Sequence, residues 1–498
     1  MATKKRTSGG RSASAAKRTK SAKRTKSSAK NIPTSYPSGE AALGTFHGEV
    51  SVPERHAAGR ELRVKVPREA HGGWSRPTDL PSGVDIVLAG NKGREQDLVP
   101  LRMARMCASP FAFFRGAAAV MASDLSKTPI SGIYTVIDGD AHLNNFGLYG
   151  TPQRDVVFDL NDFDESLIAP WEWDLKRLTA SVNVAARENG FNRRERDAAV
   201  RRCVAGYTFN MDRLESMGIL DIWYLHAYPG KENPVVRIDA KSQAIFRKSV
   251  AKASTQTNLA LLNKVAEKLP KGGWRFREDP PVLTHVDSKT RQDVIQALHD
   301  YAPSLYRERQ FMFTKYRVVD VAHRVVGVGS VGTEAYLVLL FGNGESDPLF
   351  LQVKQGMPAA HAPFAPPRLD EFAHEGKRIV TGQRALQAST DVMLGWTSIG
   401  STPYYVRQMK NMKGSIPIEW LSGTSFNFYA WACGAILARA HARSTDAAAV
   451  AGYCGKSAVL GDALALWAEA YGDQTVLDHA ALVNTFKNDR KVQALMGA

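Results

Sequence analysis

The sequence predicts an α+β protein in which a small antiparallel β-rich unit lies between two helical blocks. Three observations carry this. Residues 316–356, "YRVVDVAHRVVGVGSVGTEAYLVLLFGNGESDPLFLQVKQG", are rich in β-branched residues and broken by glycines, the pattern of strands joined by turns. The stretches on either side repeat apolar residues at helical spacing. Hydrophobic content is 44% and charged content 23% over 498 residues, enough for a packed body of several domains.

The chain divides by composition. Residues 1–35 read as a disordered basic tail. Positions 1–30 hold 11 Lys/Arg and no acid, leaving +5 of the net +16 for the rest. "AKRTKS" occurs at 16–21 and again at 22–27. Such a segment cannot bury enough apolar surface to order itself. Two roles are open to it: tethering nucleic acid or another polyanion by phosphate neutralisation, or aiding solubility. Residues 36–95, with Pro and Gly scattered through "NIPTSYPSGE" and "HGGWSRPTDLPSG", read as an irregular extension.

Residues 96–315 are expected to form a helical lobe. Helix is predicted over 98–125, over 171–190 with Gly190 as its stop, on to about 215, within 240–270 and over 289–302. Strands are predicted at 132–138 and 156–160. The β-rich lobe is expected over 316–415, with a helix at 369–389 and a strand at 403–410. Residues 416–498 are expected to be helical and to pack on the helical lobe. No run approaches the eighteen or so apolar residues of a membrane span, "AYLVLLF" (335–341) being strand-sized. The N-terminus has no apolar signal core. Cys107, Cys203, Cys433 and Cys454 are far apart and form no C-x-x-C. That argues against a disulfide framework or a zinc site and fits a reducing cytoplasm.

Two segments concentrate metal-seeking oxygens: "DGDAHLNNFG" (138–147) and "VVFDLNDFDES" (156–166). The β-rich unit holds "GVGSVG", with Gly327, Gly329 and Gly332 in G-x-G-x-x-G spacing around Ser330. A dinucleotide-binding fold would follow such a turn with a helix. Here a strand, "EAYLVLL", follows. A glycine turn between antiparallel strands is how protein kinases cover ATP phosphates, because glycines let the backbone come close without Cβ clashes. The next strand, "LFLQVKQ", places Lys354 22 residues after Gly332. A lysine in an apolar strand needs a partner. In a kinase-like site it contacts the α/β-phosphates and pairs with a carboxylate from the next helix. Glu371 and Glu375 lie there, and Glu375 is favoured. Asp140 and Asn145 have the D-x-x-x-x-N spacing of a kinase catalytic loop. Asp140 would accept the substrate hydroxyl proton. Asn145 would bind magnesium, with Asp162 as the second ligand.

These residues carry a resemblance. "GDAHLNN", "NDFDES" and "PWEWDLKRL" resemble the aminoglycoside and choline phosphotransferase branch of the kinase-like superfamily. That branch reads H-G-D-x-H-x-x-N, then D-F, then a D-L-x-R-L helix. Asp140, His142 and Asn145 match the first motif, Asp162 the second and Asp174 the helix. Asp138 departs from it, standing where the branch usually has a mostly structural His. More closely, eight segments from about residue 95 on resemble the bacterial domain-of-unknown-function family 2252, considered kinase-like. They are "RMCASPFAFFRGAA", "GDAHLNNFG", "FDLNDFDE", "GVGSVGTEAYLVLL", "LQVKQ", "YYVRQMKNMKG", "LARAHARS" and "AGYCGKS".

In a standard kinase the glycine loop and lysine precede the catalytic loop. Here Asp140 and Asp162 precede Gly327 and Lys354. The resemblance therefore implies a protein-kinase-like two-lobed fold in circularly permuted order, with a small antiparallel β-rich lobe and a large helical lobe. Lys354 and Asp162 should face each other across one cleft, with residues 407–414 hinge-like beside the adenine. The implied activity is an ATP- and Mg²⁺-dependent phosphotransferase. It would move the γ-phosphoryl group to a hydroxyl acceptor, favoured as a small molecule. Three other readings use the same residues differently: nucleotidyl (AMP) transfer at the same site, a metal-dependent phosphohydrolase built on "DGDAH", and a non-catalytic ATP-binding scaffold with a nucleic-acid-binding tail. His142 reads as structural and Asp174 as orienting the catalytic loop. Asp164 and Glu165 read as supporting or helix-capping groups, and Trp171 and Trp173 as core or interface.

Overall fold

The computed structural model describes residues 50–229, 240–325, 327–366, 373–409, 411–421 and 423–496. The expected basic tail and Glu371 lie outside them. Among the described residues, no helix is long and apolar enough to cross a membrane.

Four strands frame the acidic segments: β1 (Tyr134–Ile137), β2 (Phe146–Gly150), β3 (Val156–Leu160) and β4 (Leu167–Pro170). β1 pairs antiparallel with β4, and Ile137 stands opposite Leu167. The residues after β1 and before β4 are thereby brought side by side. β2 and β3 form a hairpin with Phe146 opposite Leu160. This returns the chain so that Asn161 N–H donates to the Asn145 carbonyl at 2.9 Å. Two strand pairings thus bring 138–145 and 161–166 together.

Downstream lie β5 (Ala266–Lys268), β6 (Trp274–Phe276), β7 (Leu283–His285), β8 (Arg317–Arg324), β9 (Ala335–Phe341), β10 (Pro348–Gln355), β11 (Gly395–Ile399) and β12 (Thr402–Gln408). The main sheet is antiparallel, ordered β11-β12-β10-β9-β8-β7. It reaches upstream of residue 316 through β7, a three-residue strand too short to leave a periodic signal. β9 is apolar along its whole length because both its faces are covered. Tyr336, Val338 and Leu340 join a cluster with Val294, Leu298 and Tyr301 of the helix Ser288–Tyr301. Leu337, Leu339 and Phe341 join the opposite cluster with Leu261, Leu262 and Phe276. Lys354 stands opposite Tyr405, and Gln352 opposite Arg407. The period-2 pleat sets these four on one face, a polar patch at the end of an apolar sheet.

The helical body is built around Trp171–Glu188, buried from Trp171 to Ala186. Against it pack Arg193–Leu214 and the long C-terminal helix Val459–Phe486. The helix Gly423–Ala442 lies closely along Arg193–Leu214. A Cβ at Gly434 would come within 2.1 Å of the Cys203 carbonyl oxygen, so glycine permits that approach.

The region read as irregular, 36–95, is corrected over its described part. It holds the helices Val52–Glu61 and Gly83–Ala89. The first opens on a capping box: Ser51 accepts from Glu54 N–H, and the Glu54 side chain accepts from Ser51 N–H at 2.9 Å. "SVPE" carries that signature in the sequence.

One buried ion pair makes stability pH-dependent. Glu469 accepts from Asn183 Nδ2 at 2.8 Å and from Arg196 Nε at 3.1 Å, and Arg187 stands 3.1 Å away. Burial alone would raise the carboxyl pKa, but the bonds from Arg196 and Asn183 and the charges of Arg187 and Arg196 outweigh that and hold it at about 2. The stabilisation is complete above its ordinary value of 4.5 and is lost as pH falls toward 2. Glu469→Gln is expected to lose about 3 kcal/mol at pH 7. In urea melts the gap to wild type should narrow below pH 4.5; a gap constant with pH would contradict the assignment.

Candidate functional site

The loop after β1 is held from below by Asp174 at the start of the Trp171–Glu188 helix. Its carboxylate accepts from Asp138 N–H at 2.7 Å and Gly139 N–H at 2.9 Å. His441 Nε2 stands 3.1 Å from the same carboxylate, and its Nδ1 meets the Tyr207 hydroxyl at 2.9 Å. Gly139 sits at φ +77°, and a Cβ there would lie 2.2 Å from the Glu165 carbonyl oxygen. The loop therefore closes tightly onto the 162–166 segment.

Asp140 projects into the resulting cleft. Its Oδ1 accepts from Arg177 Nε at 2.6 Å, and His142 Nε2 is 3.6 Å from Oδ2. Burial pushes the Asp140 carboxyl up to about 7; Arg177 opposes this, while Glu165 and Asp162 add to it. His142 is held well below its usual pKa by burial and the charges of Arg115 and Arg177, so it is neutral and structural. Asp138 is fully buried, and burial together with Asp174 and Asp140 pushes its carboxyl well above the usual range. It accepts from Asn145 Nδ2 at 2.9 Å. A buried acid thus braces the loop at the position where a His was expected.

Asn145 Nδ2 also donates to the Asp162 carbonyl at 3.0 Å and the Asp140 carbonyl at 3.3 Å. The amide nitrogen is committed, so only the side-chain oxygen could meet a cation. Asp162 Oδ1 is buried without a hydrogen bond, 3.8 Å from Arg407 Nη2.

Lys354, 2% exposed, donates from Nζ to Ser330 Oγ at 2.7 Å and forms an ion pair with Asp164. The expected partnership with Glu375 is corrected. Asp164 takes that role, and Glu375 Oε2 accepts from Arg378 Nε at 2.6 Å. Arg378 also donates to the Asp164 carbonyl at 2.7 Å and the Met357 carbonyl at 2.8 Å, tying the helix Glu375–Leu386 to the acidic segment. Asp164 was reachable in principle, since "DFDE" offers three acids. Nothing local distinguishes which of them faces a lysine 190 residues away.

Gly327 and Gly332 hold the turn at φ +70° and +83°, a region that favours glycine. The turn is pinned from outside: Arg105 Nη1 donates to the Gly327 carbonyl at 2.5 Å, Arg94 Nη1 to Val331 at 2.8 Å, and Glu95 N–H to Gly332 at 2.8 Å. Gly329, Ser330 and Thr333 face a cavity of about 280 Å³ that Asp140, Asp162, Asp164 and Glu165 also line. Arg94, Arg102 and Arg115 line it as well.

The segment expected to be hinge-like meets β2 at two described residues: Leu148 N–H donates to the Gly414 carbonyl and Gly150 N–H to the Asn411 carbonyl, each at 2.7 Å. The cavity there, between Asn161, Gln383, Arg407 and Asn411, measures about 20 Å³, room for a water or two. That cavity, among the described residues, is too small for a purine. Among the described residues, no three or more His, Cys, Asp or Glu are grouped to hold a metal ion.

Comparison with curated proteins and with solved structures returns no match. One family model matches residues 94–485, a span that includes the acidic segments, the glycine turn and Lys354. The chain belongs to the DUF2252 family, described as "uncharacterized protein conserved in bacteria".

Proposed function

We propose that the cleft binds Mg²⁺·ATP and transfers the γ-phosphoryl group to a hydroxyl acceptor, in a kinase-like fold of permuted chain order. The observation that carries this reading is the Lys354–Asp164 ion pair with Ser330 beside it. It joins the glycine turn and the strand lysine to an acidic segment far earlier in the chain, at the cavity lined by Asp140 and Asp162.

The donor set suits magnesium, a hard cation that takes one or two carboxylates and completes its shell with phosphate oxygens and water. Asp162, with an unbonded buried oxygen, and the Asn145 side-chain oxygen would hold it. When bound, it would neutralise phosphate charge. Asp164 is already neutralised by Lys354 and so serves to position it. Asp140, braced by Arg177, would accept the acceptor hydroxyl proton. The phosphohydrolase reading has less support, since two-metal hydrolases use several His and Asp ligands.

The test is ADP release from ATP with Mg²⁺. Asp162→Asn is expected to abolish it while the unfolding transition stays in place. Turnover equal to wild type would overturn the assignment of Asp162.

A further inference from the structure

The cleft is lined by both acidic and basic side chains. On the acidic side, Arg177 braces Asp140 and Lys354 pairs with Asp164. On the basic side compensation is weaker: Asp140 acts on Arg115, and Glu165 and Asp164 act on Arg94, without a direct ion pair, while no carboxylate acts on Arg102. Arg102 is 4% exposed and donates to neutral acceptors, Asn91 Oδ1 at 2.7 Å and the Gly116 carbonyl at 3.1 Å. Arg94 donates to the carbonyls of Gly90 and Val331 at 2.8 Å each. The Nε atoms of Arg102 and Arg115 are buried without a partner. Among the described residues, no carboxylate stands at ion-pair distance from any of the three. Burial and the neighbouring Arg94 charge push the Arg102 guanidinium down to about 9. Arg102 is thus a buried cation without a counter-charge, which is unfavourable unless a ligand supplies one.

A second feature meets these arginines. Ala118, Ala119 and Val120 line the same cavity, and they open the helix Ala118–Leu125, whose N-terminus has no side-chain cap. Its free N–H groups and the positive end of its dipole favour an anion. Three guanidinium groups and a helix N-terminus call for more charge and more acceptor oxygens than one carboxylate supplies.

We propose that Arg94, Arg102, Arg115 and the N-terminus of Ala118–Leu125 form a phosphate-binding subsite in the cavity that Asp140 also lines. Its part in catalysis rests on the phosphotransferase reading; the binding itself does not. Two sources supply this chemistry: a phosphate group on the acceptor, or the terminal phosphates of the nucleotide.

The full chain titrated with inorganic pyrophosphate, without magnesium or nucleotide, reads this by calorimetry. One site is expected. Arg115→Gln should weaken it about tenfold or more, and Ala119→Glu, which sets a carboxylate at the helix N-terminus, should abolish it. No binding by wild type, or unchanged affinity in both variants, overturns the proposal. Titration with Mg²⁺·ATP then separates the sources. A parallel loss in Arg115→Gln assigns the subsite to the nucleotide, and unchanged ATP affinity beside lost pyrophosphate binding assigns it to the acceptor. Should Asp162→Asn leave ATP binding intact while pyrophosphate binding still depends on Arg115, the phosphate site stands and the magnesium assignment falls.

Discussion

Asp140→Asn is expected to lower ADP release from Mg²⁺·ATP by about 10²- to 10⁴-fold, the usual contribution of a positioned general base, while ATP still binds. The amide keeps the shape of the side chain and can still accept from Arg177 Nε, so the loop should hold its form. What it lacks is a basic oxygen to take the acceptor proton. The wild-type pH profile should carry the same signature. With the Asp140 carboxyl pushed up to about 7 by burial, the base is protonated below that pH and free above it. kcat/KM should therefore fall as pH drops through about 7 and level off above it. A profile flat between pH 5.5 and 8.5, or full turnover in Asp140→Asn, would remove Asp140 from the chemistry.

Lys354→Met is expected to act twice. It should weaken ATP binding by removing the ammonium beside Ser330. It should also destabilise the protein, because it strands the Asp164 carboxylate. Breaking a buried pair from one side costs about 3–5 kcal/mol. The lower end applies here, since 25% of the Asp164 side chain remains accessible. Lys354→Met combined with Asp164→Asn should recover most of the lost stability in urea unfolding but none of the ATP affinity. The pair also has a sign in pH. Burial would raise the Asp164 pKa, but Lys354 lowers it below the ordinary value of 3.8. Its stabilisation is thus present above that value and lost as pH falls through the lowered one. Equal stability of single and double variants would show that the two groups are not coupled.

The parts of the site that were legible in the sequence are those defined by short spacing. Asp140 and Asn145 lie in one loop, and the β2–β3 hairpin needs only the turn between two apolar strands to return Asp162 to them. The strand around Lys354 was legible because β9 and β10 are apolar runs of strand length separated by a glycine-rich turn. What the sequence hid are pairings across long separations. Asp164 rather than Glu375 meets Lys354: Arg378 takes the Glu375 carboxylate and, through the Asp164 and Met357 carbonyls, ties the acidic segment to the chain that follows β10. Arg94, Arg102 and Arg115 sit among helical and loop residues where arginines ordinarily face water, and only the fold brings the three to one cavity. The Ser51–Glu54 capping box was readable yet was masked by the Pro and Gly around it. β7 became a strand only because β8 offered an edge.

The central claim is that the carboxylates around Asp162 and the lysine of β10 form one Mg²⁺·ATP site. It is tested most directly by calorimetric titration of the full chain with ATP, with and without magnesium, for wild type and Asp162→Asn. The account predicts binding strengthened by magnesium in wild type and indifferent to magnesium in the variant. Absence of ATP binding by wild type under either condition, or an equal response to magnesium in both proteins, would contradict it.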